Sequence, residues 1–365
     1  MARSRLKEIA LSAEPLKGLR PLSSPWQCVD PFLMCNFQND VYPKGNENLG
    51  PAEPLTDRNL GEDFSGKGGW SMYHGERVPG FPRHPHRGFE TITVLRQGFI
   101  DHADSLGSSG RYGPGDVQWI TAGQGISHSE TTPLLNSQIK NPVELFQIWL
   151  NLPKDKKLVE PVIQMIWEDQ VPRIQSQDSR GRETELTLIA GKFNDSGKQY
   201  KAVSPPPNSW GADPENELAI WVIRLAPHAR FSLPMANALL NRTLYFFRGR
   251  FLKIGSLEIE SQQIIELRPD CEVELVNGSE ESEVLFLQAR PIAEPVVSRG
   301  PFVMNSEEEI QQAFVDYRRT HFGGWPWKKD DVIFKRNESR FFRSADGRVE
   351  RRPLSLESKK RGAHS

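Results

Sequence analysis

Helical periodicity is nearly absent from this chain until close to its C-terminus, and short β-prone runs take its place. The clearest are Glu90–Leu95, Val117–Thr121, Glu144–Leu152, Leu186–Ala190, Leu218–Leu225, Leu244–Phe247, Cys271–Val276 and Val284–Gln288. Ile92 and Val94 alternate with Thr91 and Thr93, the period-2 pattern of a half-buried strand. Turn residues such as those at Pro114–Asp116 and Arg268–Asp270 fall between the runs. That pattern is the signature of an all-β protein.

The two halves share an outline. ETITVLRQGFI with YGPGDVQWI in the first half matches LYFFRGRFLKIG with LRPDCEVELV in the second: strand, Gly turn, proline-led turn, strand. A chain of 365 residues holds two domains of ordinary size, so the reading is a duplicated small barrel. Lys154–Asp178 is polar and mixed, and SPPPN at Ser204–Asn208 is a rigid extended stretch that serves as linker or loop. One helix stands out, starting at Asn305 or Ser306. Ser306 and Glu309 have capping-box spacing, and Ile310, Phe314 and Tyr317 form one apolar stripe.

Charge excludes some partners. With 46 basic and 47 acidic residues the formal net charge is −1, which exerts no global pull on nucleic acid or membrane. The segment from Lys328 onward is the exception, with 12 Lys/Arg against 6 Asp/Glu. Its KKR at Lys359–Arg361 suits a nuclear address or binding arm, but a solvated tail is the plainer reading. Cys28, Cys35 and Cys271 form no framework, which fits a reducing compartment. The first residues lack the apolar core of a secretory signal, and no apolar stretch approaches the ~20 residues of a membrane helix. The expected location is the cytoplasm, extending to the nucleus in a eukaryote.

Two short pairs carry the chemistry: His84 and His86 in GFPRHPHRGFET, then His128 and Glu130 in GQGISHSE. Side chains at i and i+2 of a strand share a face, so each pair aims two donors at one point and two strands supply four. Imidazole suits iron, zinc, copper and nickel, and one carboxylate favours a harder, redox-capable ion. Either pair alone is commonly a surface feature. Together, joined by strands and a proline turn, they read as one metal site.

DPFLMCNF, GFPRHPHRGFETIT, GPGDVQWITAGQGISHSE, FQIWLNLP and EPVVSRGPFVMNSEEEI together resemble the pirin family of bicupins, in order from about Asp30 to about Tyr317. The resemblance implies two tandem cupin barrels, jelly-rolls of the double-stranded β-helix kind, with a metal in the first only. By position, the family's metal ligands fall on His84, His86, His128 and Glu130. LPMANALLNRTLYFFRGR in the second half has no His pair, and His228 stands alone there. Glu90 occupies the position that ligates in ordinary metal cupins. In pirins the later glutamate ligates, which leaves Glu90 as a supporting carboxylate.

The expected organisation is a flexible N-terminus over 1–20, then a metal-binding cupin over 21–155 with an inserted loop at 39–80. A metal-free cupin over 156–300, a helix over 301–325 and a basic disordered tail over 326–365 follow. The inserted loop precedes His84 directly and is expected near the cavity mouth. His102, His74 and His321 receive structural readings, although His102 is placed to line the cavity. Phe89, Trp119, Phe146 and Trp149 suit either an aromatic pocket or the core.

Two functions follow from the resemblance. One is a quercetin 2,4-dioxygenase-like activity on a planar phenolic or enol substrate and O2, with one divalent ion, Fe(II), and Glu130 as base. The alternative is a non-enzymatic, iron-dependent, redox-sensing transcriptional co-regulator acting through protein partners, without direct contact to nucleic acid. A metal-bearing cupin with an unrelated small substrate stands third. The chain is expected to be a monomer.

Overall fold

The computed structural model describes residues 15–195 and 197–353. The first 14 residues of the expected flexible N-terminus and the KKR motif lie outside them. Among the described residues the fold is all-β with one α-helix, Glu307–Thr320, as the sequence pattern predicts. All eight predicted strand runs fall, to within two residues at their ends, on strands of the seven-stranded sheet, one of the two six-stranded sheets or the four-stranded sheet.

The chain forms two compact units. Of the described residues, one gathers 32–170, 205–210 and 293–353; the other gathers 15–31, 171–195, 197–204 and 211–292. These boundaries differ from a cut at 155/156, because strand pairing overrides chain order. Residues 16–20, placed in a flexible terminus by their sequence, belong to strand Leu16–Pro21, which pairs antiparallel with Gln263–Leu267 in the second unit. Val162–Ile166 pairs with Val117–Thr121 in the first.

In the second unit, Leu244, Phe246, Trp221 and Phe286 from one sheet meet Leu252, Ile259, Leu275 and Phe231 from the other. Large apolar side chains fill that interior. The first unit packs differently. One of its sheets runs Val162–Ile166, Val117–Thr121, Phe89–Gln97, Asn141–Asn151, Phe32–Tyr42. The other ends Ser109–Tyr112, Ile100–Asp104, Ile126–Thr131, Gly80–His86. Leu95, Leu145, Ile100 and Tyr112 pack between them with Trp70 and Met72. The apolar cluster covers part of the interior, and buried polar side chains occupy the rest.

Two expectations are corrected here. The 39–80 insertion starts later than its composition suggests, since strand Phe32–Tyr42 runs through its first residues. Its remainder is anchored: Trp70 and Met72 are buried, and Arg58 lies 3.3 Å over the Trp70 ring. The expected disordered tail is ordered over 326–353. Arg340–Arg343 pairs with Ser109–Tyr112, and Val349–Arg352 pairs with Arg340–Arg343. Buried polar partners compensate for the low hydrophobicity of this segment. Arg340 bonds Asp116 at 2.6 Å with both nearly inaccessible. Arg111 reaches the carbonyls of Phe334, Lys335 and Glu338.

The helix begins as predicted. Ser306 is its N-cap and accepts from Glu309 N, while the Glu309 carboxylate accepts from Asn305 N. Asp316 on this helix bonds Arg87 at 2.8 Å, fixing the helix beside the residue that follows His86.

Candidate metal centre

Strand Gly80–His86 contains two prolines, which a central strand does not tolerate and an edge strand does. It lies at the edge of its sheet, paired only with Ile126–Thr131 among the named strands. The register places His84 opposite His128 and Phe81 opposite Glu130, with an irregularity between Phe81 and His84. Gly80 makes this approach possible. Its φ is +124°, and a β-carbon there would sit 2.4 Å from the Glu130 carbonyl oxygen. The two sequence pairs thus lie on neighbouring strands of one sheet.

Three imidazoles converge. Their ring centroids are 4.4 Å (His84–His128), 4.8 Å (His84–His86) and 4.9 Å (His86–His128) apart. One nitrogen from each lies within 4.8 Å of the others. Pro82 O holds His84 Nδ1 at 2.9 Å, which leaves Nε2 free for a ligand. Both ring nitrogens of His128 are buried with no hydrogen-bond partner. Burial lowers the pKa of His84 to about 4, and burial with the neighbouring imidazoles holds His86 and His128 well below the usual range. The three rings are therefore neutral near pH 7, the form that binds a cation.

Glu130 stands beside this trio. Its Oε2 is 3.8 Å from His128 Nε2 and accepts from Gln147 Nε2 at 2.9 Å. Burial raises its pKa, partly offset by His102, Gln147 and Thr93. Trp149 Nε1 donates to Gln147 Oε1 at 3.3 Å, continuing the chain. Sequence reasoning missed Gln147. Its only sequence signal is its position two residues from Trp149 on a strand, where both side chains share a face.

The four candidate aromatics divide. Trp149 and Phe89 lie with ring centroids 4.3 Å apart, tilted by 34°, and 5.5 and 5.1 Å from His86, forming a wall of the site. Trp119 and Phe146 point elsewhere. Phe146 stacks on Phe37, and Trp119 donates to Glu90. Glu90 itself is fully buried and accepts from Trp119, Thr121, Ser209 and the Trp210 backbone. All four donors are groups of the protein itself, so its role is structural, and SPPPN leads into the residues that bind it.

His102 is buried next to His128, with ring centroids 5.6 Å apart and Nε2 held by Asp104 at 2.9 Å. His74 bonds Gly61 O and meets Phe81 edge-on. His321 is the helix C-cap, its carbonyl accepting from Ser127 Oγ, and His228 lies in the second unit; neither belongs to the three-histidine cluster.

Three histidines converging on one sheet of an all-β fold form a donor set able to hold a metal ion. The Pirin family profile matches residues 24–150, and the Pirin C-terminal cupin domain profile matches 220–323. The chain is a member of the pirin family. It is 37% identical over 246 residues to a Pseudomonas aeruginosa protein named "Putative quercetin 2,3-dioxygenase", covering 66% of this chain and 79% of the relative. It is 32% identical to human Pirin over 257 residues, covering 69% of this chain and 80% of Pirin. A crystal structure of quercetin 2,3-dioxygenase from Acinetobacter baumannii superimposes with a TM-score of 0.63 at 24% identity, over 86% of this chain and 98% of that one. That superposition confirms the fold.

Proposed function

We propose that this protein is an iron(II)-dependent dioxygenase that opens the ring of a flavonol or similar planar enol. The observation that carries this reading is the convergence of three neutral imidazoles, with the unpartnered nitrogens of His128, on a site walled by Phe89 and Trp149. The names of the relatives support it.

His84, His86, His128 and Glu130 would hold the ion. The donor set fits: unsatisfied buried nitrogens are costly unless a ligand meets them, and three imidazoles with a carboxylate suit a redox-capable divalent ion. When bound, the ion supplies Lewis acidity and one-electron redox chemistry. Glu130 takes the proton of the substrate hydroxyl at its carboxylate. Burial has raised its basicity for that task, and Gln147 fixes the carboxylate from behind. Phe89 and Trp149 offer apolar faces to a flat substrate and exclude water.

The test is anaerobic purification, loading with Fe(II), and measurement of quercetin loss in air, with a His84→Ala/His86→Ala protein as control. Metal-dependent loss with CO release, absent from the control, is the expected result, and mass analysis of the product fixes the position of cleavage. Bound iron without turnover would overturn the flavonol reading and favour a redox-sensing protein partner. In Glu130→Gln, metal binding weakens and flavonol cleavage disappears. Turnover with metal retained would refute the assignment of the base.

A further inference from the structure

His84 is the least buried of the three histidines: His86 and His128 are buried, while His84 is partly exposed. Aromatic rings continue outward from His84. Phe81 lies 5.9 Å from it, and Tyr73 stacks on Phe81 at 5.4 Å with ring planes 29° apart. Phe64 then meets Tyr73 at 5.4 Å and His74 at 5.1 Å, both edge-on, with Phe81 at 6.5 Å. Phe64 is 58% exposed.

The exposed ring sits on a fixed support. The Asp63 side chain accepts from Arg58 at 2.7 Å, Ser65 Oγ at 2.6 Å and Met72 N at 3.0 Å. Asp63 and Tyr73 exchange both backbone hydrogen bonds. The Tyr73 hydroxyl donates to Asp40 at 2.8 Å, and its backbone holds φ +54°, a conformation a tyrosine adopts only under constraint. One side of the Phe64 ring packs on this support, and the rest of the ring is left open to a planar partner.

We propose that Phe64, backed by Tyr73, His74 and Phe81, is a stacking shelf that selects substrates with an aromatic ring beyond the group that reaches the three histidines. This inference rests on the proposed flavonol-type activity and names the part of the site that sets specificity. A compact enol at the histidines ends before Phe64, which stands two ring contacts away. A polycyclic phenol extends onto it.

The experiment measures anaerobic binding, so no turnover intervenes. Fe(II)-loaded wild type, Phe64→Ala and Phe64→Tyr are titrated with quercetin and with acetylacetone, a compact enol, following the absorbance of each complex. In Phe64→Ala the quercetin Kd rises ~3- to 10-fold, as loss of one aromatic contact predicts, while the acetylacetone Kd is unchanged. Phe64→Tyr keeps wild-type affinity for both. An unchanged quercetin Kd overturns the shelf, as does equal weakening of both ligands, which would place the effect at the histidines. Wild type that binds acetylacetone but not quercetin overturns the flavonol reading, and the assigned substrate class with it. Because Phe64 is exposed, its replacement leaves the fold intact, and a thermal melt of each variant checks this.

Discussion

His84 and His128 are direct partners across two antiparallel strands, their ring centroids 4.4 Å apart, and neither nitrogen of His128 has a protein partner. These nitrogens cost the metal-free protein stability, because a buried polar atom without a partner retains its desolvation penalty. Replacing His128 by leucine, similar in volume, should make the metal-free protein more stable by about 1 kcal/mol and abolish metal binding. Chemical denaturation of both proteins with and without Fe(II) checks this. Added metal should stabilise only wild type, by an amount set by its concentration over Kd. A metal-free His128→Leu protein clearly weaker than wild type would show that His128 is part of the packing first.

Glu90 separates a ligand from a supporting carboxylate. Its oxygens accept four hydrogen bonds from Trp119, Thr121, Ser209 and Trp210. Glutamine in its place turns one acceptor into a donor facing donors. Glu90→Gln should lose about 1–3 kcal/mol of stability while binding Fe(II) with wild-type stoichiometry. Metal analysis beside a denaturation curve decides the matter, since loss of metal from a folded variant would return Glu90 to the site.

Legibility in the sequence followed side-chain chemistry. Runs such as ETITVL and ELFQIWLNL announce themselves because apolar side chains alternate or mass there. IDHAD and ISHSET do not, although every residue of Ile100–Asp104 and Ile126–Thr131 is buried. Their interior face holds His102, His128 and Glu130, so the features that build the site erase the hydrophobic pattern that reveals a strand. The histidine pairs themselves were legible because i, i+2 spacing survives any packing. Arg340, by contrast, sits in a stretch whose composition resembles a solvated tail. It is ordered by one buried carboxylate more than two hundred residues earlier in the chain, a relationship no local window contains.

Gln147 joins Trp149 to Glu130 and touches no other candidate ligand through a hydrogen bond. It is a positioning residue. Gln147→Ala should lower kcat by roughly 10-fold, within the range a displaced general base allows, with KM for quercetin changed less and iron still bound. Steady-state kinetics on metal-loaded protein test this. A rise in KM alone would mean that Gln147 contacts substrate and leaves Glu130 unaffected.

Arg340 gives the sharpest pH test. Its guanidinium lies 2.6 Å from Asp116, whose carboxyl burial raises to about 6 while Arg340 draws it back down. The folded pKa exceeds the ordinary value of 3.8, so the native state binds the extra proton between those two values. Stability from this group is therefore present at low pH and declines as pH rises through about 6. Removing Arg340 leaves a buried carboxylate without its cation and pushes the pKa higher still. Arg340→Ala should cost about 3–5 kcal/mol at pH 8 and distinctly less at pH 5, where a protonated Asp116 needs no counter-charge. Urea denaturation of wild type and variant at the two pH values reads this directly. An equal loss at both would assign the damage to the missing pairing of Arg340–Arg343 with Ser109–Tyr112, and the ion pair would then be incidental to the order of this segment.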